Sequence, residues 1–171
     1  MIAFINLGVF VAVFNYLGFR LMDAPHHLSQ GQLSALFTVY LFGVVLSPLG
    51  GAAADRFGRA RVMLIGLITS ALGVTLTLSM PLPGVVLGVA LLTCGFFVTH
   101  AVASGWVGLA APDHRGHASA LYLLAYYLGS SVVGLAGGWF WTAGGWTWVA
   151  AFTAALLLLA LGVARSLPST A

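Results

Sequence analysis

The organisation of this chain is decided by a segment between two long apolar stretches, Gly51-Ala-Ala-Ala-Asp55-Arg56-Phe-Gly58-Arg59-Ala-Arg61. Asp55 is predicted to fall at the C-terminal end of a helix, where the helix dipole already carries partial negative charge. Its carboxylate therefore needs a compensating partner. The arginines of the same segment are one candidate. The other is the N-terminus of a helix beginning near 117–119, which offers unpaired N–H groups. Gly58 allows a tight turn between the two stretches.

The composition excludes a water-soluble domain. Hydrophobic residues make up 61% of the 171 residues and charged residues only 5%, whereas soluble domains carry about 25% charged residues. A membrane span needs about 20 apolar residues. Stretches of that kind predict an all-α integral membrane protein in which one domain, 1–171, has six spans, near 2–21, 31–53, 60–80, 84–109, 118–140 and 146–164.

The arginines predict the orientation in the membrane. Five of the six fall on one side of the predicted spans, Arg56, Arg59, Arg61, Arg115 and Arg165, and Arg20 falls on the other. Positively charged loops stay in the cytoplasm, so both termini are expected there in a multi-pass protein. Because the arginines are few and lie in short loops, nucleic-acid binding is not expected.

The opening segment resembles the signature loop of the major facilitator superfamily, G-x-x-x-D-R-x-G-R-x-[RK]. The matching residues are Gly51, Asp55, Arg56, Gly58, Arg59 and Arg61. The segment departs at Ala53, where many members have leucine. The resemblance implies a six-helix half of a transporter bundle, built as a 3+3 inverted repeat, that moves a solute by alternating access. In that setting Asp55 is expected to latch the second span to the fifth when the cytoplasmic side is closed.

Other segments are similar to the C-terminal half of bacterial sugar or drug efflux permeases. Asn15-Tyr-Leu-Gly-Phe-Arg20-Leu looks like the seventh span of that group, and the run 96–106 looks like the tenth. The run 111–119 resembles the loop before the eleventh, and the chain starts almost directly in a span. The resemblance implies proton-coupled efflux through a bacterial inner membrane. The second six-helix half would belong to the same longer chain, to a separate subunit or to a second copy; we favour the longer chain.

Polar side chains inside apolar spans are costly and tend to face the protein interior or a water-filled path. The candidates for a cavity or for coupling are Asn15, Tyr16, Arg20, Thr38, His100, Ser104, Tyr122 and Tyr126. His100 is the only histidine predicted within a span, and its side chain titrates near neutral pH, so it is a candidate proton-coupling group or a hydrogen-bonded structural residue. Arg20 either lines the cavity or extends its side chain to the outer interface.

Two other functions compete with transport. One is a membrane scaffold or assembly subunit. The other is an intramembrane serine hydrolase, suggested by Ser104, but no G-x-S-G element is present and His100 lies on the same predicted helix. No enzyme activity and no cofactor is therefore expected. The pair His26-His27 lacks further ligands, so no metal site is expected either. The expected substrate is a small amphipathic or hydrophobic solute, because the predicted cavity is mostly apolar and aromatic.

Overall fold

The computed structural model describes residues 1–167 of the chain. Its helices are α1 Ile2–Met22, α2 Gln30–Leu36, α3 Leu41–Phe57, α4 Arg59–Leu76, α5 Leu82–Ala110 and α6 Arg115–Arg165. A short 3₁₀ segment, Phe37–Tyr40, joins α2 to α3, so Gln30–Phe57 forms one continuous candidate span. Among the described residues, 5 helices are long and apolar enough to cross a membrane. The prediction of an all-α membrane protein is thereby confirmed.

The longest helix, α6, folds back on itself. Gly144 and Gly145 have non-helical backbone angles, and φ of Gly145 is +64°, a conformation that glycine adopts without strain. The rings of Phe140 and Phe152 stack with centroids 4.2 Å apart. In an unbroken helix, residues twelve apart would be separated by about 18 Å. The two parts of α6 therefore pack against each other, and the turn lies in the Trp-Thr-Ala-Gly-Gly loop expected from the sequence.

The helices of the bundle approach one another through glycine. Gly129 of α6 faces the backbone of Phe4, and Gly8 of α1 faces Gly129 and Val133. The pairs Gly66–Gly95 and Gly73–Gly88 bring α4 and α5 together in the same way. Lipid provides no hydrophobic drive for helix association, so close backbone packing of this kind is a main source of cohesion.

The two ends of the bundle differ in chemistry. One end carries the turn at Gly58, whose φ of +92° separates α3 from α4. A cavity of about 570 Å³ at this end is lined by Met1, Met63, Trp106 and Leu167, so both ends of the described chain lie here. We call it the signature-loop end. The opposite end carries Arg20 and the C-terminus of α4.

Candidate functional site

His100 and Tyr122 form the central polar contact of the bundle. The Tyr122 hydroxyl lies 3.0 Å from Nδ1 of His100, joining α5 to the first part of α6. The ring of Tyr126, one turn further along α6, lies 4.8 Å from the His100 ring. The structure thus brings together three of the residues that the sequence nominates. Polar groups inside a membrane protein need such partners, because lipid offers none.

Aromatic rings extend this contact across four elements of the fold. Phe10 of α1 stacks on Phe96 of α5 at 4.0 Å, and Phe96 lies 6.1 Å from His100. Tyr40 of the 3₁₀ segment meets Phe10 at 5.4 Å, edge to face. We call the connected set the aromatic cluster, consisting of Phe10, Phe14, Phe37, Tyr40, Phe96, Phe97, His100, Tyr122 and Tyr126. Offset and edge-to-face aromatic pairs of this kind stabilise the packing of the helices that carry them.

Asn6 is a site residue that sequence reasoning missed. Its side-chain nitrogen donates to the carbonyl oxygen of Phe96 at 3.2 Å, and the residue is buried between α1 and α5. The bond ties α1 to the helix turn that carries His100. An asparagine inside a span is costly and for that reason informative, so the sequence marks Asn6 as strongly as Asn15, which the structure leaves exposed.

The other nominated hydroxyls are not brought to His100. The Tyr16 hydroxyl donates to the carbonyl oxygen of Gly134 at 2.9 Å and fastens α1 to α6. Thr38 donates to Ala35 at 2.8 Å within its own helical segment. Ser104 donates to Ala101 at 3.2 Å. Thr38 and Ser104 thus have their donors occupied by local backbone, a common arrangement of hydroxyls in apolar helices.

Arg20 lies at the end of the bundle opposite the signature loop and caps another helix. Its guanidinium donates to the carbonyl oxygen of Thr77 and, at 2.8 Å, to that of Ser79. The indole N–H of Trp146 donates to the same Thr77 oxygen at 3.1 Å, and the guanidinium lies 5.8 Å from the Trp146 ring centroid. A cation at a helix C-terminus is favoured by the dipole and by the aromatic face. Arg20 therefore joins α1, α4 and α6.

Replacing Arg20 by methionine is expected to lower the free energy of unfolding by about 2 kcal/mol, because two carbonyl oxygens lose a charged donor. Thermal unfolding in detergent, followed by size-exclusion fluorescence, measures the change. Arg165→Met is the matched control, since Arg165 is exposed in the last turn of α6 and should change stability by about 0.5 kcal/mol or less. Equal losses in the two variants would show that the cap contributes nothing.

At the signature loop, Asp55 pairs with one of its own arginines. Nη2 of Arg59 lies 2.8 Å from Oδ1 of Asp55, one helical turn apart. The Asp55 side chain is 71% exposed and that of Arg59 is 18% exposed. Of the two partners that the sequence left open, the structure shows the arginine. Arg56 lies over the ring of Phe57 at 5.1 Å, and Arg61 is exposed. Gly51 has open space around it.

Comparison with known proteins agrees with this architecture. The family model described as Major Facilitator Superfamily matches residues 1–170. The chain is 44% identical, over 92% of its length, to the inner membrane transport protein YnfM of Escherichia coli, of which it covers 38%. It is 38% identical over 94% of its length to the uncharacterized MFS-type transporter YybF of Bacillus subtilis, covering 40% of that protein. An uncharacterized transporter of Buchnera aphidicola is 36% identical over 94% of the chain, which covers 39% of it. No solved structure matches the chain.

The relatives are considerably longer than this chain. It spans about two-fifths of the length of the curated transporters that it matches. Their names point to transport rather than to enzyme activity, in agreement with the apolar helices. The family match over nearly the whole length, together with these helices, shows that the chain is a multi-pass membrane protein that belongs to the major facilitator superfamily of transporters.

Proposed function

We propose that this chain is the C-terminal six-span half of a proton-coupled efflux transporter that works by alternating access. The second half is supplied by the rest of a longer protein, as the length of the relatives favours. Transport folds of this kind place the substrate between two repeats that rock against each other. A single half has one wall of such a path, so the proposed activity is that of the complete transporter.

The six-span topology rests on the break in α6. Gly144 and Gly145 divide it into two parts, and each is long enough to cross the bilayer. With the four preceding spans this makes two sets of three, as a 3+3 inverted repeat requires. The arginine side chains at the signature-loop end then favour a cytoplasmic position for both termini.

The observation that carries the proposed function is the contact of His100 with Tyr122 inside the aromatic cluster. The three aspartates, Asp23, Asp55 and Asp113, lie in loops or at a helix end, so no carboxylate lies deep in the apolar helices of the described chain. His100 is therefore the group of this half that is best suited to take up and release a proton. The surrounding rings suit an amphipathic or hydrophobic solute.

The experiment uses the complete transporter in inverted membrane vesicles. A pH gradient is imposed, and the release or uptake of fluorescent amphipathic dyes, beginning with ethidium, is followed with and without the ionophore that collapses the gradient. Gradient-dependent dye movement supports proton-coupled efflux. Movement that persists unchanged without the gradient contradicts the coupling. If the protein is folded and inserted but no dye or solute crosses the membrane, the alternative of a membrane scaffold is favoured. Vesicles with this chain alone test whether two copies suffice.

Asp55→Asn tests the proposed latch at the signature loop. The ion pair with Arg59 is exposed on the Asp55 side, so its loss should cost about 0.5 kcal/mol or less of stability. Transport is expected to fall by roughly tenfold, because a latch contributes to the balance between the two states of the cycle.

Asp113→Asn is the matched control for this prediction, since Asp113 is an exposed carboxylate in a neighbouring loop. Unfolding in detergent and dye transport in vesicles are measured for both variants. Transport at the wild-type level in Asp55→Asn would contradict the latch, whatever the change in stability.

A further inference from the structure

Tyr122 stands between His100 and a cavity. Its hydroxyl contacts Nδ1 of His100 at 3.0 Å, and the same residue lines the cavity of about 570 Å³ at the signature-loop end. That cavity is formed by the start of α1, the first turns of α4, the end of α5 and both ends of α6, with Ala103, Trp106 and Ala118 among its walls. It opens to the surface beside Met1, whose side chain is exposed.

Aromatic rings also contact the His100 side chain. Tyr126 and Phe96 lie against the imidazole ring, and Tyr122 provides its hydrogen bond. Among residues 1–167, no carboxylate and no guanidinium contacts it, and the ion pair that the structure shows lies at the signature loop. Tyr122 is therefore the residue that both contacts Nδ1 of His100 and lines the cavity.

We propose that Tyr122 is a positioning residue that relays protons between this cavity and His100. This inference rests on the proposed coupling through His100. A neutral imidazole whose Nδ1 accepts the Tyr122 hydroxyl carries its own hydrogen on Nε2. A hydronium ion in the cavity gives a proton to the Tyr122 oxygen as the original hydroxyl proton passes to Nδ1. The O–H bond of the hydronium and the original Tyr122 O–H bond break, and a new Tyr122 O–H bond and an Nδ1–H bond form. The hydronium becomes water, the tyrosine stays neutral, and the imidazole becomes imidazolium.

The concerted exchange avoids an expensive intermediate. A tyrosinate left behind in the apolar bundle would be an unpaired buried charge, which carries a large penalty. The geometry also gives the path a direction, because the cavity opens at the signature-loop end. Protonation of His100 is then tied to the side of the membrane on which that end lies.

The test follows the imidazole itself and needs no substrate. The complete transporter, labelled with ¹⁵N-histidine, is placed in lipid nanodiscs, and the His100 signals are assigned by their loss in His100→Gln. Between about pH 5 and pH 9, neutral and charged His100 should exchange rapidly in the wild type. In Tyr122→Phe, exchange is expected to slow by roughly tenfold or more. Tyr127→Phe, which removes a hydroxyl from an exposed ring of α6 outside the aromatic cluster, should exchange like the wild type.

A second variant blocks the cavity and leaves the hydrogen bond between Tyr122 and His100 in place. Ala118→Trp fills the cavity and should also slow exchange, with the Tyr122 contact intact. Wild-type exchange in Tyr122→Phe would overturn the relay and leave the proposed coupling to be decided by dye transport in His100→Gln. A His100 that stays neutral throughout the range in the wild type would overturn both.

Discussion

His100→Gln in the complete transporter is expected to reduce gradient-driven transport by roughly 100-fold or more, the scale of a lost acid–base group. Glutamine keeps a polar side chain within reach of the Tyr122 hydroxyl, which lies 3.0 Å from the imidazole. It cannot take up a proton. Exchange of substrate across the membrane without a gradient should therefore continue, because it requires no net proton movement. The pH dependence of transport should flatten in the same variant.

Ser104→Ala is the control for this experiment. Ser104 lies one turn beyond His100 on α5, and its hydroxyl donates to Ala101 of the same helix. Its loss should leave both gradient-driven transport and exchange close to the wild type. If His100→Gln retains gradient-driven transport, proton coupling does not pass through His100, and the histidine is a structural partner of Tyr122. Vesicle assays with the imposed pH gradient decide the matter.

Gly129→Ala is expected to lower the free energy of unfolding by about 3 kcal/mol, at the upper end for overpacking. A Cβ at this position would collide with the backbone of Phe4, and a backbone cannot move aside as a flexible side chain can. Either α1 or the first part of α6 must retreat. The Tyr16 hydrogen bond to Gly134, on the same pair of helices, would be stretched as well. Thermal unfolding in detergent measures the loss.

Gly105→Ala is the matched substitution. Gly105 is a helical glycine of α5 with open space where its Cβ would stand. Alanine is the better helix former, so stability should be unchanged or should rise by up to about 1 kcal/mol. A comparable loss in both variants would show that the effect comes from helical glycine in general. In that case the close crossing of α1 and α6 would not be the cause of the lost stability.

The composition alone predicts a membrane protein, because every span requires a long stretch of apolar residues. The composition does not predict which polar side chains contact one another. His100, Tyr122 and Tyr126 were each nominated from the sequence, but their meeting depends on how α5 and α6 are rotated against each other. Side-chain spacing along one helix contains no information about that rotation. For the same reason the sequence allows two partners for Asp55, and the structure shows that the partner is Arg59.

Arg20 and Asn6 illustrate a second limit. The sequence placed Arg20 near the end of a span and could not show that its acceptors are carbonyl oxygens of Thr77 and Ser79. Backbone acceptors have no signature in a sequence, since every residue carries one. The bond from Asn6 to the Phe96 carbonyl was missed for the same reason. A polar residue in an apolar span signals that a partner exists, and packing alone reveals which one.

The Arg20 cap also bears on how the protein is made. Its acceptor at Thr77 lies 57 residues further along the chain, so the guanidinium emerges from the ribosome long before its partner. Until α4 has been synthesised, only water and lipid head groups can solvate the charge at the end of α1. When α4 joins the bundle, the guanidinium gains the carbonyl oxygens of Thr77 and Ser79 as acceptors. Variants that weaken the cap are therefore expected to give a lower yield of inserted protein in cells.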